Sequence, residues 1–143
     1  MPERPPPPQL ADFPHHMTDN IRFADVDIQG HVNNVVFATF VESGRVGFSR
    51  DPVHGFKIPD AGFALRRIVI DYLAEMRFPG QVTIATRVQR IGNTSITLDH
   101  ALFVGADCTA TAESTMVLVD QKTRRPRPFP EDIAKRLAAA ARN

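Results

Sequence analysis

Residues with reactive or hydrogen-bonding side chains cluster near the N-terminus of this 143-residue chain. The run DVDIQGHVNN holds them within ten positions: Asp25, Asp27, Gly30, His31, Asn33 and Asn34. If the two asparagines begin a helix, its first N–H groups have no helical partner and carry partial positive charge. Such a helix end stabilises an anion or a polarised carbonyl. The run therefore indicates a chemical site as well as a turn.

The helix that would position these groups is predicted from about residue 34 to residue 48. Its sequence, VVFATFVESGRVGF, is apolar on almost every side, which is typical of a helix buried on every face. Asn33 or Asn34 is a suitable N-cap, since the side-chain oxygen can accept an early helical N–H. Gly44 and Gly47 each cost about 1 kcal/mol of helix propensity relative to Ala, which predicts close packing of another backbone there.

Strand-like patterns lie on both sides of this helix. A short alternation precedes it at about 19–25, and four runs follow it at 63–76, 81–91, 95–104 and 108–119. Turn residues join the four runs, which predicts an antiparallel meander, and the alanine-rich segment 131–141 predicts a terminal helix. Because the sheet must cover its apolar face, we expect it to wrap around the buried helix and to join a second copy edge to edge.

Composition narrows the function classes. The formal net charge is +1, so no nucleic-acid or membrane surface is expected. No apolar run approaches the roughly 18 residues of a membrane span. A single cysteine, Cys108, fits a reducing compartment, and a cytoplasmic location is expected. Residues 1–17 hold six of the twelve prolines and are predicted to form a flexible arm before one domain at 18–143.

The run DVDIQGHVNN, followed by Phe37, Glu42 and Arg45, resembles the 4-hydroxybenzoyl-CoA thioesterase-like branch of the hotdog-fold acyl-CoA thioesterases. That family has Asp-x-Asp-x-x-Gly-His-Val-Asn-Asn, then an aromatic and Glu-x-x-Arg along the central helix. The resemblance covers about residues 18–130. It implies an α+β hotdog fold, with an antiparallel sheet of about five strands around one long helix. It further implies thioester hydrolysis without metal or cofactor, in a dimer or homotetramer whose site lies between subunits.

The resemblance also assigns roles to individual residues. Asp27 matches the catalytic carboxylate, as nucleophile or as general base on water, and Asn34 matches the helix start whose backbone N–H polarises the thioester carbonyl. Four positions are implied to bind substrate: His31, Phe37, Ser95 and Arg125. Ser95 matches a serine that helps to hold coenzyme A. The basic pair that precedes this serine in the family is replaced by Gly92 and Asn93 here. The cluster Arg124, Arg125 and Arg127 is the candidate substitute, and a solvated basic turn is the alternative interpretation of it.

Several alternatives remain open on the residues alone. Asp25 is interpreted as a solvated or capping acid, because strand alternation would turn it away from Asp27. Asp27 by itself is also typical of an Asx turn. His31 either braces the loop or acts as a base. A non-catalytic acyl-CoA sensor and a hotdog hydratase or dehydratase are the competing functions, but the sensor would lose Asp27, and the hydratase would place its acid on the helix.

Overall fold

The computed structural model describes residues 5–141, in which five strands and two α-helices follow one another. The elements in chain order are β1 (His15–Ile21), α1 (Asn34–Arg50), β2 (Ala61–Tyr72), β3 (Gly80–Ile91), β4 (Ser95–Val104), β5 (Asp107–Asp120) and α2 (Glu131–Ala141). The strands form one antiparallel sheet, and α1 packs on one apolar face of it. The predicted sheet around a central helix is therefore confirmed.

The strand order is β1-β3-β4-β5-β2, which corrects part of the predicted meander. Strands β3, β4 and β5 do follow one another as antiparallel neighbours. Strand β2, however, pairs with β5, from Ala61 opposite Asp120 to Tyr72 opposite Ala110. The turn residues before β3 belong to a longer connection, 73–79, which carries the chain from one edge of the sheet towards the other. As a result, β2 is an edge strand.

The first strand starts earlier than the sequence predicts. Strand β1 begins at His15 and pairs with β3, so the C-terminal end of the predicted flexible arm belongs to the sheet. The physical reason is Phe13, which is buried against Ala85, Ala101 and Phe103 on the outer face of the sheet. The predicted strand at 19–25 instead ends in a short 3-10 turn, Phe23–Asp25. Residues 1–4 of the arm lie outside the described residues.

Helix α1 is buried on one side rather than on every face. Its buried side includes Phe37, Phe40, Val41, Gly44 and Phe48. The opposite stripe, at spacings of three and four, is exposed in the single chain: Val35, Thr39, Glu42 and Val46. An apolar residue on that stripe, such as Val35 at 74% exposure, indicates a surface that a second chain can cover.

The predicted close packing at the two helical glycines is confirmed, and the neighbours are side chains of the sheet rather than a backbone. A Cβ on Gly44 would lie 2.6 Å from Ile84 Cγ2 of β3. A Cβ on Gly47 would lie 2.6 Å from Met17 Sδ of β1. Both distances are far below van der Waals contact, so glycine lets α1 approach the sheet at these points.

The terminal helix, α2, has the predicted bounds, and it covers part of the sheet together with α1. Ile133 and Leu137 of α2 pack into one apolar cluster with Phe48 at the C-terminal end of α1. A second cluster contains Phe37 and Phe40 from the N-terminal half of α1. Within residues 5–141, no helix is both long and apolar enough to cross a membrane.

A buried histidine lies on β4, on the sheet face that α1 covers near Gly44. His100 Nδ1 is 3.0 Å from Thr86 Oγ1, and its Nε2 is 2.7 Å from Ser114 Oγ. Burial first, and then the charge of Arg45, lower the pKa of His100 from 6.5 to about 3. The ring is therefore neutral in the folded protein at neutral pH.

This pKa predicts a pH-dependent stability. The unfolded chain takes up a proton on His100 below about pH 6.5 and the folded chain does not, so the free energy of unfolding falls as the pH drops from 6.5 towards 3. In His100→Gln this contribution is absent. Denaturant titrations at several pH values between 7 and 4.5 should show the wild type losing up to about 1.4 kcal/mol per pH unit more than the variant. Parallel curves for the two proteins would contradict the assignment.

Candidate active site

The loop that carries the acids is closed by short backbone hydrogen bonds. The Asp27 N–H donates to the His31 carbonyl at 3.1 Å, and the Gly30 N–H donates back to the Asp27 carbonyl at 3.0 Å. Gly30 has a φ of +88°, in the region that favours glycine. A bridge between Val26 and Val32 continues this pairing. The loop is thus a tight turn that holds Asp27 and His31 on opposite sides of its base.

The start of α1 follows this turn directly. Asn33 is the N-cap, since its Oδ1 accepts the Val35 N–H at 2.9 Å, which confirms one of the two predicted caps. The Asn33 N–H donates to the Asp25 carbonyl at 2.9 Å and ties the helix start to the loop. The amide of Asn34, the first residue of the helix, has no hydrogen-bond acceptor among the described residues. It is an unpaired donor at the positive end of the helix dipole.

Asp25 is a buried capping residue, and the solvated alternative is wrong. Its side chain is 2% exposed and accepts hydrogen bonds from the Arg22 N–H at 2.7 Å and from Arg22 Nη2 at 2.8 Å. Burial alone would raise the pKa of Asp25, but the hydrogen bonds and charge of Arg22 outweigh it, so the net pKa lies below the usual range. The 3-10 turn breaks strand alternation and directs this carboxylate back onto Arg22.

Asp27 is half-buried and keeps one carboxylate oxygen free. Its Oδ1 accepts the Gln29 N–H at 2.9 Å, so the Asx turn is present. Its Oδ2 has no hydrogen-bond or ion-pair partner within the described part of the chain. The turn-forming and chemical roles are therefore compatible, because the turn uses one oxygen and leaves the other available.

A cavity of about 270 Å³ opens beside the helix start. It is lined by His31, Val32, Asn34, Phe37, Tyr72, Leu73, Ala74 and Glu75. The structure thus brings together three of the predicted site residues, His31, Asn34 and Phe37. Asp27 lies in the turn that precedes them and does not line the cavity. A larger cavity of about 840 Å³, between Pro5–Pro8 and the end of β2, contains none of the predicted site residues.

The 270 Å³ cavity is also lined by residues 72–75, at the end of β2 and directly after it. The sequence patterns assign no functional role to this segment. Tyr72 Oη donates to the Asn34 carbonyl at 2.9 Å. Glu75 Oε1 lies 3.4 Å from His31 Nε2, which agrees with a bracing role for that histidine. The Val32 N–H donates to the Met76 carbonyl at 2.8 Å. One segment therefore braces both the loop and the helix start.

Ser95 and Arg125 lie at the other end of the molecule. Ser95 begins β4, where it pairs with Val117 of β5. Tyr72 pairs with Ala110 of β5, which in turn pairs with Leu102 near the other end of β4. Seven residues of strand separate the two ends, which corresponds to roughly 23 Å. Arg125 lies at the same end of the sheet as Ser95, since its carbonyl accepts the N–H of Asp120, the last residue of β5, at 2.9 Å. The Arg125 side chain is exposed. A single chain does not bring them to Asp27.

Two other groups are unsuited to a reactive role. Burial raises the pKa of the Cys108 thiol, whose Sγ lies 3.4 Å from the Ala110 carbonyl, so a thiolate nucleophile is disfavoured. Glu42 and Arg45, three residues apart on α1, form a loose ion pair at 3.9 Å. In residues 5–141, no three His, Cys, Asp or Glu side chains converge as a metal site would require.

One family model and several solved structures match this chain. The family model described as the thioesterase-like superfamily matches residues 21–137. None of the curated proteins matches this chain in sequence.

Solved structures of three proteins are similar over nearly the whole chain. A protein from Pseudomonas aeruginosa is 28% identical, with 94% of this chain and 96% of that chain covered and a TM-score of 0.76. A thioesterase from Thermus thermophilus, in complex with coenzyme A and zinc, is 27% identical, with 92% and 96% covered and a TM-score of 0.74. A predicted thioesterase from Bacillus stearothermophilus is 26% identical, with 87% and 94% covered and a TM-score of 0.73. The predicted hotdog fold is confirmed.

Substitutions of the two acids of the loop should have different effects on the free energy of unfolding. Asp25→Asn removes the charge that Arg22 binds in a buried position, so the free energy of unfolding at pH 7 should fall by about 1–2 kcal/mol. The contribution of Asp25 is present above its ordinary pKa and is lost as the pH falls below about 3.8, so the difference from wild type should shrink there.

Asp27→Asn is the matched control, because an asparagine Oδ1 can still accept the Gln29 N–H. Its free energy of unfolding should stay within about 0.5 kcal/mol of wild type. Denaturant unfolding of the three proteins at pH 7 and pH 3 makes the comparison. Equal losses in both variants would contradict the structural role of Asp25.

Proposed function

Because the chain belongs to the thioesterase-like superfamily, we propose that it is an acyl-CoA thioesterase, which converts an acyl- or aroyl-CoA to the free acid and coenzyme A. One observation carries the proposal: among residues 5–141, neither Oδ2 of Asp27 nor the amide of Asn34, which begins the helix after it, has a hydrogen-bond partner. A carboxylate that can act as nucleophile or base thus precedes, in the same short loop, a donor for a developing oxyanion. The coenzyme A bound in the similar Thermus thermophilus thioesterase supports the choice of thiol.

The Asn34 N–H binds the thioester carbonyl oxygen and stabilises the negative charge that forms there. In one route, Asp27 takes a proton from water, and the hydroxide adds to the carbonyl carbon. In the other, the Asp27 carboxylate attacks first and forms an anhydride, which water then hydrolyses. In both, the carbon–sulfur bond breaks and the thiolate of coenzyme A leaves and takes up a proton. Either sequence of steps uses only the Asp27 carboxylate, the Asn34 amide and water.

The cavity suits the acyl half of the substrate. Phe37 is 2% exposed and meets the Tyr72 ring edge to face, with the ring centroids 5.0 Å apart. Together with Leu73 these rings offer an apolar surface beside the unpaired amide. His31 and Glu75 stand on the polar side of the same cavity and border the substrate there.

A second copy of the chain completes the site. Among the described strands, β2 pairs only with β5, so one side of its twelve residues is a free edge, and Leu65 near its middle is 48% exposed. Antiparallel pairing of β2 with its two-fold copy reverses the strand, so the Tyr72 end comes beside the Ala61 end of the partner subunit. Ser95 and Arg125 of the partner subunit lie at that end, where they reach the phosphates of a coenzyme A bound at Asp27.

The direct test is release of free thiol from a panel of acyl-CoAs, from short to long aliphatic chains plus benzoyl and phenylacetyl types. The wild type should hydrolyse at least one of them. Asp27→Asn should lower kcat at least about a hundredfold, because the carboxylate is lost, while binding of the substrate persists. Asp25→Asn, measured below its unfolding temperature, should lose far less.

Two results would contradict this proposal. Asp27→Asn activity close to wild type would remove Asp27 from the mechanism. Tight binding of acyl-CoA without turnover by the wild type would instead indicate the non-catalytic sensor.

The shared site can be tested by subunit complementation. Asp27→Asn and Arg125→Glu dimers should each be impaired, the second through weaker coenzyme A binding. In a mixed dimer, one of the two sites receives wild-type Asp27 and wild-type Arg125, so full subunit exchange should restore about a quarter of the wild-type activity.

The control mixes Asp27→Asn with the Asp27→Asn/Arg125→Glu double variant, in which every site lacks Asp27 and no activity should return. The contrary outcome is a mixture of Asp27→Asn with Arg125→Glu that shows no more activity than the two variants measured separately. That result would show that Asp27 and Arg125 do not act across the subunit boundary.

A further inference from the structure

We propose that Tyr72 is a positioning residue for thioester hydrolysis, which holds the first turn of α1, and with it the Asn34 amide, in place against the substrate carbonyl. This inference rests on the proposed function and extends it to a residue outside the loop motif. Tyr72 lies 38 positions from Asn34 in the chain, at the end of the edge strand β2.

Two contacts attach Tyr72 to the helix start. Its hydroxyl donates to the Asn34 carbonyl at 2.9 Å. Its ring packs against Phe37 at a centroid distance of 5.0 Å and an interplanar angle of 65°. Phe37 is buried in the core, so the ring contact fixes the phenol, and the phenol in turn fixes the backbone of Asn34. Tyr72 also lines the cavity that Asn34 and Phe37 border.

Such a tether adds to the hydrogen bonds that Asn33 makes at the helix start. The first residues of a helix donate no helical hydrogen bonds, so they fray readily. Here both Asn34 and Val35 are exposed, and the Val35 N–H relies on the Asn33 side chain. Tyr72 supplies a fixed point from the sheet to this part of the backbone.

The consequence for chemistry is preorganisation. A donor stabilises a developing oxyanion best when it already points at the oxygen, since no reorganisation is then needed. The Asn34 N–H lies in the same residue as the carbonyl that Tyr72 binds. Loss of the phenol oxygen should therefore act on the transition state and leave ground-state binding by the rest of the cavity intact.

The test compares Tyr72→Phe with wild type on the best acyl-CoA of the panel. The substitution removes one oxygen and keeps the ring against Phe37. We expect kcat to fall about fivefold, which corresponds to about 1 kcal/mol for one hydrogen bond, while KM stays within about twofold.

Ser49→Ala is the matched control. Ser49 Oγ also donates to a carbonyl of α1, that of Val46, at 2.9 Å, but at the opposite end of the helix. A general loosening of α1 would affect both variants, whereas the positioning role predicts that only Tyr72→Phe loses kcat.

The chain provides a spectroscopic readout of the same bond. It contains one tyrosine and no tryptophan, so tyrosine signals report on Tyr72 alone. Ultraviolet resonance Raman spectra should show a hydrogen-bond-donating phenol in the wild type, and the signal should persist when acyl-CoA is bound to the inactive Asp27→Asn variant.

The outcomes separate the two proposals. Wild-type turnover with an unchanged kcat in Tyr72→Phe, an equal loss in Ser49→Ala, or a phenol that does not donate in the bound state would overturn the positioning role alone. No turnover of any thioester by the wild type would overturn the proposed function and the positioning role together.

Discussion

The close approach of α1 to the sheet is the constraint on which the other features depend. Gly44 and Gly47 leave no room for a Cβ against β3 and β1, so the helix lies at one depth and in one rotation over the strands. Its N-terminus is thereby fixed beside the loop that carries Asp27. A methyl group at Gly44 would push the helix away from β3 and would move the Asn34 amide with it. Packing in the middle of the helix thus sets the geometry at its end.

Much of the fold follows from the sequence because hydrophobic alternation and turn residues are local signals. The bounds of β4 and α2, and the existence of β2, β3 and β5, are visible in this way. The partner of β2 is not, because alternation shows which face of a strand is buried but not which strand lies next to it. The start of β1 was missed for a related reason: prolines around residues 5–8 hide the anchoring role of Phe13.

In the candidate site, too, local features are predictable from the sequence and long-range contacts are not. The motif located Asp27, His31 and Asn34, since all of them lie in one continuous run. Burial of Asp25 was missed because the 3-10 turn overrides the alternation expected of a strand. Tyr72 was missed because its contact with the helix spans the chain, although a signal exists: it is the one tyrosine, on the same strand face as the half-buried Ile68 and Ile70.

The pairing of β2 with β5 has a consequence for how the protein is made. Strand β2 ends at Tyr72, but β5, the strand that pairs with it, begins only at Asp107. At a synthesis rate of about 5–20 residues per second, β2 therefore has no neighbouring strand for seconds. During that interval the nascent chain already carries the Asp27 loop and α1, while the wall that braces them has no sheet to attach to. Of the described strands, β5 is made last, so the candidate site gains its bracing wall only when β5 pairs with β2, and both edges of β2 are exposed until then.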